Sequence, residues 1–591
     1  MRFSLVTFCI LVVVTKETIA EISSGVFTIH TEGCTIPGFP GVSESIKSIM
    51  DAPPAIRNCT SSRQLVTTNS THIWVLREAF YSYDVFREDT FYCCYKNFSA
   101  VGNIENIVYS DCEEFSNVIP AKHEFVHIEC FHLDGVIFRD FFIFNRHETV
   151  TPNRFRSEEY NILVLGIESM SRLNFHRTMP HTSEFLKQKG VIELLGYNKV
   201  GDNSYPNLFP VLTGLSFDYV KQSCVHGSVM NNDQCKFIWD KFKDKGYNTA
   251  LGSDSTAGLL GNYEYSLPSI PTDFYLQPFI FETRKLFTNQ NYSYHSCKGS
   301  KYFYRLLLDY IYSLTQNLKS NKLFGMFWEE SISHENVNNP RIMDESYYKL
   351  LSNLDQDGYL NKTILILLSD HGMRWGRIVL TKQGRLEERL PLLAILLPEE
   401  FKSRYKLAYK NIENNVNRLT SPYDIYESLL DLMDPDRLED NVIGSRSKSA
   451  SVSRSSLFLP IPAIRNCSSI GVAEHWCACR GGVNIKVGSK AKTFVANKLV
   501  AQINKLLMGY SQCHKLILKN IYDVHLVEND QKLRVYTARV KTKPGGGIYD
   551  GTVIQDGTHW VISGTVSRLN LYRNQSYCVN NAAIKMYCYC V

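Results

Sequence analysis

The sequence predicts an α/β fold: a mostly parallel central sheet sandwiched by helices, with a disulfide-bearing module on either flank. Two observations carry this. Between residues 156 and 443, short apolar runs alternate with helix-like stretches, and runs without polar alternation are what strands covered on both faces look like. The cysteines crowd the two ends of the chain and thin out in that middle region.

The runs come in order as Asn161–Ile167, Phe324–Trp328, Thr363–Leu368 and Leu390–Leu397. Helix-like segments such as Tyr302–Leu318 and Ser421–Leu432 lie between or after them. Sheets of this kind bind ligands beyond the carboxyl ends of their strands, so the residues that follow each run are the ones to read for chemistry.

The 591 residues, 44% of them hydrophobic, are ample for a buried core. The length corresponds to roughly three or four domain-sized units. Charge is nearly balanced, with 64 Lys+Arg against 59 Asp+Glu and a net charge of +5. No basic stripe is interleaved with aromatics, so nucleic acid is not expected as a partner.

At the N-terminus, Arg2 precedes an apolar run from Phe3 to Val14, polar Thr15–Glu17 and a small-residue cleavage site at Thr18-Ile19-Ala20. This reads as a secretory signal peptide over residues 1–20. The run is well short of the ~20 residues a spanning helix needs. The expectation is a secreted, extracellular protein with no stable membrane span.

Of the 17 cysteines, Cys9 lies in the signal, which leaves an even number. In an exported chain this argues for disulfides, whose pairing spacing does not reveal. Cys34 to Cys130 define an N-terminal module over 21–155, and Cys467 to Cys590 a C-terminal module over 457–591. The core then occupies 156–443. Cys477-x-Cys479 is expected to form disulfides rather than a metal site. The Ser/Arg-rich stretch Gly444–Ser456 reads as a flexible linker. The flanks share a short echo, Pro54–Thr60 and Pro462–Ser468. Glycan acceptor sequons start at Asn58, Asn69, Asn97, Asn291, Asn361, Asn466 and Asn574,.

Three strand ends carry matching chemistry. Glu168-Ser169 follows the first run, Glu329-Glu330 with His334 follows the second, and Ser369-Asp370-His371-Gly372 follows the third. Carboxylates and imidazole together suit zinc or another divalent metal ion. Ser204, in Gly201–Leu208, is the nucleophile candidate. Pro206 fits the first turn of a helix and Gly214 its end. That start would place Ser204 beside amides suited to an oxyanion. Pro210 inside the same stretch predicts a short or kinked helix. Taken singly, each piece has an ordinary use: Ser204 as a helix cap, Glu168 as a carboxylate near a helix start, His334 as a packed histidine. Their joint occurrence at strand ends is what points to a reaction centre.

Strand-Glu-Ser, then Ser204-Tyr-Pro-Asn207 before Leu212-Thr-Gly214, then Leu367-Leu-Ser-Asp-His-Gly372, resembles the alkaline-phosphatase superfamily. The segment at Ser204 is similar to the nucleophile segment of nucleotide pyrophosphatase/phosphodiesterases, where threonine is usual. Glu168 as first ligand resembles the lipoteichoic-acid synthases and phosphoethanolamine transferases. Longer strings, Gly166–Arg172, Gly196–Asp202, Ser331–Glu335 and Leu386–Pro391, resemble an animal family of exported proteins of unknown function with an alkaline-phosphatase-like core.

The resemblance implies one ion held by Glu168, Ser204, Asp370 and His371. A second ion would draw on His334, with Glu330 four residues before it. The superfamily's late metal-binding histidine has no counterpart in this sequence, and Tyr426 lies where one would be sought. The implied activity is a metal-dependent hydrolase or transferase acting on phosphate esters or phosphodiesters through Ser204. Its substrate would be a phosphorylated or sulfated small molecule, lipid or glycan. A sulfatase is the nearest alternative, but Leu208 stands where formylglycine-dependent sulfatases carry arginine. The other alternative is an inactive extracellular binding protein on the same fold.

Overall fold

The computed structural model describes residues 27–55, 59, 64–144, 158–227, 229–230, 234–255, 258–259, 267, 269–283, 297–298, 301–449, 451–479, 485–486, 488–528, 534–557 and 559–591. The signal segment 1–20 with Cys9, the sequons at Asn58 and Asn291, and most of the first echo lie outside the described residues.

The central sheet has seven strands: β1 (Asn161–Ile167), β2 (Ile192–Glu193), β3 (Asn248–Ser253), β4 (Phe274–Tyr275), β5 (Leu323–Glu329), β6 (Thr363–Leu368) and β7 (Leu393–Leu396). Their order across the sheet is β2-β7-β6-β1-β5-β3-β4. Neighbours from β6 to β4 pair in parallel. β7 runs antiparallel to β6, and β2 antiparallel to β7. The α/β class is as expected, but the sheet is mixed.

The apolar run at 390–397 is therefore not one more parallel strand. Leu393 pairs with Leu368, so β7 starts beside the carboxyl end of β6. The intervening helix Lys382–Arg389 is held at that end, where Glu387 binds Arg177 and the Ser171 hydroxyl. The chain does not cross back before re-entering the sheet, so it can only return in the opposite sense.

Alternate residues of β1 serve the two faces. Ile162 and Val164 pack with residues of the helices Tyr205–Thr213, Ile238–Asp244 and Pro422–Met433. Leu163, Leu165 and Ile167 pack with those of Phe303–Asn317 and Asp344–Gln356. Both faces are closed, which is why the strands carry no polar alternation. β3 was not legible as a strand, because Asn248-Thr-Ala-Leu-Gly-Ser253 is too small and polar to read as an apolar run.

The flanks are antiparallel. Phe91–Val101, Phe125–His132 and Gly135–Ile143 pair in the N-terminal sheet. Toward the C-terminus, the helix Ser489–Leu506 packs on a meander of Ile517–Glu528, Arg534–Lys543, Ile548–Asp556 and His559–Arg568. All sixteen cysteines from Cys34 onward are paired, in eight bridges. Cys34–Cys479 joins the two flanks, and Cys59–Cys297 ties the N-terminal part to the core. Cys477 pairs with Cys467, so the Cys-x-Cys motif is wholly disulfide.

Of the stretch expected as a flexible linker, the two ends are held, while the described residues 444–449 and 451–454 are half-buried or exposed. The helix Asp440–Ser447 covers its start, and Ser455 and Ser456 are buried. The cause is Asp424, whose buried carboxylate accepts the Ser455 amide at 2.9 Å and the Arg465 guanidinium at 2.8 and 3.0 Å. Among the described residues, no helix is long and apolar enough to cross a membrane.

Candidate metal centre and nucleophile

β1 and β6 are neighbours, so Glu168 and Asp370 emerge side by side. The loops behind them are knitted together: the Ser169 amide donates to Asp370 Oδ1 at 3.2 Å, and the Met170 amide to Ser369 Oγ at 2.9 Å. Ser169 adopts φ 57°, a left-handed conformation that turns the chain sharply after Glu168,. Gly372 lets the second loop pass close to the helix Lys382–Arg389; a Cβ there would lie 2.3 Å from the Glu387 carbonyl oxygen,.

The Ser204 loop is pinned by Asn207. Its Oδ1 accepts the amides of Val200 and Gly201 at 2.7 and 3.2 Å, and its Nδ2 donates to the carbonyls of Gly201 and Asn203 at 2.9 and 2.8 Å. That accounts for the asparagine in Ser-Tyr-Pro-Asn. The helix that follows, Tyr205–Thr213, is short and holds Pro210 in its interior. Its N-terminus supplies fewer amides than expected. Pro206 has none to give, and those of Asn207 and Leu208 bond to the Ser204 carbonyl,.

Ser204 does not use its side chain as a cap. Its hydroxyl donates to Glu168 Oε1 at 2.6 Å. The second oxygen, Oε2, accepts the indole N–H of Trp328 at 2.7 Å. Trp328 lies on β5 opposite Gly166 of β1. A Cβ on Gly166 would come within 1.8 Å of the indole ring. Glycine at 166 is thus what lets the tryptophan reach Glu168. Sequence reasoning read Trp328 only as part of an apolar run; its indole N–H, buried in a sheet and needing an acceptor, was the overlooked signal.

His371 Nε2 lies 3.7 Å from Glu168 Oε1 and 3.1 Å from Asp370 Oδ2. Its other nitrogen, Nδ1, is 2.9 Å from the Gly372 carbonyl, which fixes the ring. Asp370 Oδ2 and His371 Nε2 are both buried, and neither has a hydrogen-bond partner. Ligand atoms of Glu168, Asp370 and His371 all lie within 4.8 Å of one another. Two carboxylates, an imidazole and a hydroxyl around orphaned buried atoms fit a divalent ion.

Electrostatics agree with that fit. Burial, then the charges of Asp370 and Glu330, push the Glu168 carboxyl well above the usual carboxylate range. Burial lowers the His371 imidazole to about 3, so it is neutral at physiological pH, as a metal ligand must be,. A cation at the centre would relieve the crowding of carboxylates.

His334 is not part of this converging group. Its Nδ1 lies 3.3 Å from Glu335 Oε1, and its ring meets the edge of Trp375 at 4.5 Å between centroids. Glu330 is nearer by its effect, since its charge acts on Glu168. Its amide donates to Asp254 Oδ1 at 2.8 Å. Asp254, at the end of β3, is a buried carboxylate that the sequence did not single out. Tyr426 is built into the core, against Gly214 at the end of the Ser204 helix.

The fold and centre together define an α/β core with a serine and three potential metal ligands beyond its strand ends. The chain belongs to the family described as "Protein of unknown function (DUF229)", which matches residues 52–522. No curated protein matches it. Among solved structures it is similar to a sulfatase from Pseudoalteromonas sp., with 13% identity, 47% of this chain and 68% of that chain covered, and a TM-score of 0.33. It is also similar to the soluble domain of lipooligosaccharide phosphoethanolamine transferase A from Neisseria meningitidis, with 12% identity, 48% and 90% covered, and a TM-score of 0.33. A third similar structure is a protein in the alkaline phosphatase superfamily from Vibrio parahaemolyticus, with 14% identity, 73% and 85% covered, and a TM-score of 0.33.

Proposed function

We propose that the protein is an exported, metal-dependent hydrolase or transferase acting on phosphate esters or phosphodiesters, with Ser204 as nucleophile. The observation that carries this reading is the use of the Ser204 hydroxyl. At a helix start a serine ordinarily caps; this one donates to Glu168 at 2.6 Å instead,. It is thereby aimed at the buried group of Glu168, Asp370 and His371.

Those three residues and Ser204 would hold a divalent ion such as zinc. When bound, the ion would supply charge stabilisation and lower the pKa of the serine hydroxyl. Ser204 would then give up its proton and attack phosphorus, the bond from phosphorus to the leaving oxygen would break, and the proton released by Ser204 would end on the leaving oxygen to give the alcohol. Water or an acceptor hydroxyl attacks the phosphoserine in turn, gives up its proton, and releases Ser204. Trp328 holds Glu168 in place throughout. The substrate would be a phosphorylated small molecule, lipid or glycan.

Phosphate is favoured over sulfate by Leu208. It occupies the place of the arginine that formylglycine formation needs, and it is 2% exposed, turned into the core. Export is supported by the N-terminal segment and by the eight disulfides, which form and persist in oxidising compartments,.

The test is metal analysis of the full-length secreted protein with a screen of phosphate monoesters, phosphodiesters and sulfate esters. Bound metal and phosphoester cleavage are expected, with a loss of at least about a thousandfold in Ser204→Ala. An inert protein without bound metal would favour the binding-protein alternative, and activity unchanged in Ser204→Ala would refute the nucleophile.

A further inference from the structure

Beside the centre lies a cleft between the core and the C-terminal meander. Its core side includes Asp202, Arg374, Arg385 and Arg389, and its other side Asp550 and Arg568. None of Glu168, Ser204, Asp370 and His371 lines it. Yet Arg374 is three residues beyond His371, and Asp202 two residues before Ser204. The cleft therefore flanks the reacting centre without being part of it.

The charged side chains around it are held by hydrogen bonds within the protein, with one exception. Arg385 binds Asp550 at 3.0 Å. Arg389 donates to the His475 carbonyl at 2.6 and 3.1 Å and to the Arg385 carbonyl at 2.7 Å. Arg568 donates to the carbonyls of Asn570 and Met586 at 3.1 and 2.9 Å. Asp202 is taken up by Lys199 and Trp476 at 3.0 Å each, Thr565 at 2.9 Å and Ser567 at 2.6 Å. Glu388 is paired with Lys199.

Arg374 is the exception. Among the described residues it has no hydrogen bond or ion pair, and its Nε is buried without a partner. Its guanidinium sits 5.2 Å from the centre of the Trp375 ring. The residue is half-buried and its charge acts on Asp202 across the same cleft, but no carboxylate among the described residues accepts a hydrogen bond from its guanidinium. In a cleft where the other charged side chains are all taken up by hydrogen bonds, Arg374 is the donor left for a ligand. A planar guanidinium selects oxyanions, which it binds with two parallel N–H bonds.

We propose that this cleft is an oxyanion subsite, in which Arg374 binds a second anionic group of the substrate, next to the ester that Ser204 attacks. The assignment to substrate rests on the ester-cleaving reading above; the oxyanion site itself does not. The substrate class is thereby narrowed to esters that carry a further phosphate, sulfate or carboxylate.

The test titrates inorganic sulfate into the full-length protein by calorimetry, at constant ionic strength. Binding is expected in wild type, at least tenfold weaker in Arg374→Met and partly kept in Arg374→Lys. It is expected to persist in Asp370→Asn, which dismantles the metal centre. Without sulfate, Arg374→Met should unfold close to the wild-type temperature, because Arg374 makes no hydrogen bond among the described residues.

A wild type that binds no sulfate overturns the subsite, as does sulfate binding unchanged by Arg374→Met or lost in Asp370→Asn. A lowered unfolding temperature for Arg374→Met assigns the arginine a structural role and also overturns it. A second arm compares an aryl phosphate with the same ester bearing a carboxylate. Arg374→Met should raise KM at least tenfold more for the carboxylated ester. Equal effects on both esters would reduce the site to one for a free anion and overturn the substrate class. If sulfate binding behaves as stated but no ester is cleaved, the subsite stands and the ester-cleaving reading fails.

Discussion

The indole N–H of Trp328 donates to Glu168 Oε2 at 2.7 Å, across two neighbouring parallel strands. One carboxylate oxygen is thus committed to the tryptophan and the other to Ser204. The carboxylate cannot swing, so its position relative to Asp370 and His371 is set by the sheet. Trp328→Phe keeps the ring and removes the donor. It should weaken zinc affinity about 10–100-fold, as loss of an outer partner of a ligand commonly does. Competition against a chromogenic chelator measures this; affinity within twofold of wild type would show that the bond does not orient Glu168.

Gly166 is the other half of that arrangement. With the Cβ of an alanine only 1.8 Å from the indole, Trp328 must move or β1 must shift. Gly166→Ala should cost about 1–3 kcal/mol, in the range of overpacked cores. The readout is the denaturant midpoint, and an unchanged midpoint would mean the sheet absorbs the methyl group without strain.

Asp202 joins the nucleophile loop to the C-terminal meander: of its four partners, Thr565 and Ser567 lie on the meander, and Lys199 and Trp476 outside it. Burial opposes its ionisation, but Lys199 and His475, with the Ser567 hydroxyl, hold its carboxyl well below the usual range. A depressed folded pKa adds stability above the unfolded value, about 4, and that stability is lost as pH falls through the folded pKa. Asp202→Ala leaves Lys199 with Glu388 alone and should destabilise by about 3–5 kcal/mol near neutral pH. The gap from wild type should narrow in acid. A gap that does not depend on pH would show that the charge of Asp202 is not what matters.

Asp254 has the opposite sign. Burial pushes its carboxyl up to about 7, against hydrogen bonds from the amides of Glu330 and Ser331 and from the Ser331 hydroxyl. The folded state then holds a proton that the unfolded chain has released above pH about 4. Stability should fall as pH rises from about 4 to 7, and level off above that. Asp254→Asn should flatten this slope. Unfolding followed at several pH values decides it, and identical slopes in the two proteins would locate the buried proton elsewhere, Glu329 being the neighbouring carboxyl.

Much of the centre was legible because each of its residues directly follows an apolar run or opens a helix. Glu168, Asp370 and His371 follow β1 and β6, and a parallel sheet delivers such residues to one edge. His334 was singled out for the same reason. It follows β5, but four residues intervene between the last strand residue, Glu329, and His334, whose ring meets Trp375. Trp328 and Asp254 were missed, one hidden in an apolar run and the other behind a strand of small and polar residues.

What the sequence determined by itself was the α/β class and the strand-end residues Glu168, Asp370 and His371, because burial on both faces writes itself into local composition. It also marked Ser204 at a helix start. The tertiary structure decided the rest. The direction of β7, the hold of Asp424 on Ser455, and the clasp of the C-terminal meander on Asp202 depend on residues far apart in the chain. So does the placement of Arg374 in a cleft with Asp202. Which partner a buried polar group finds is set by where the chain returns, and no local pattern records that.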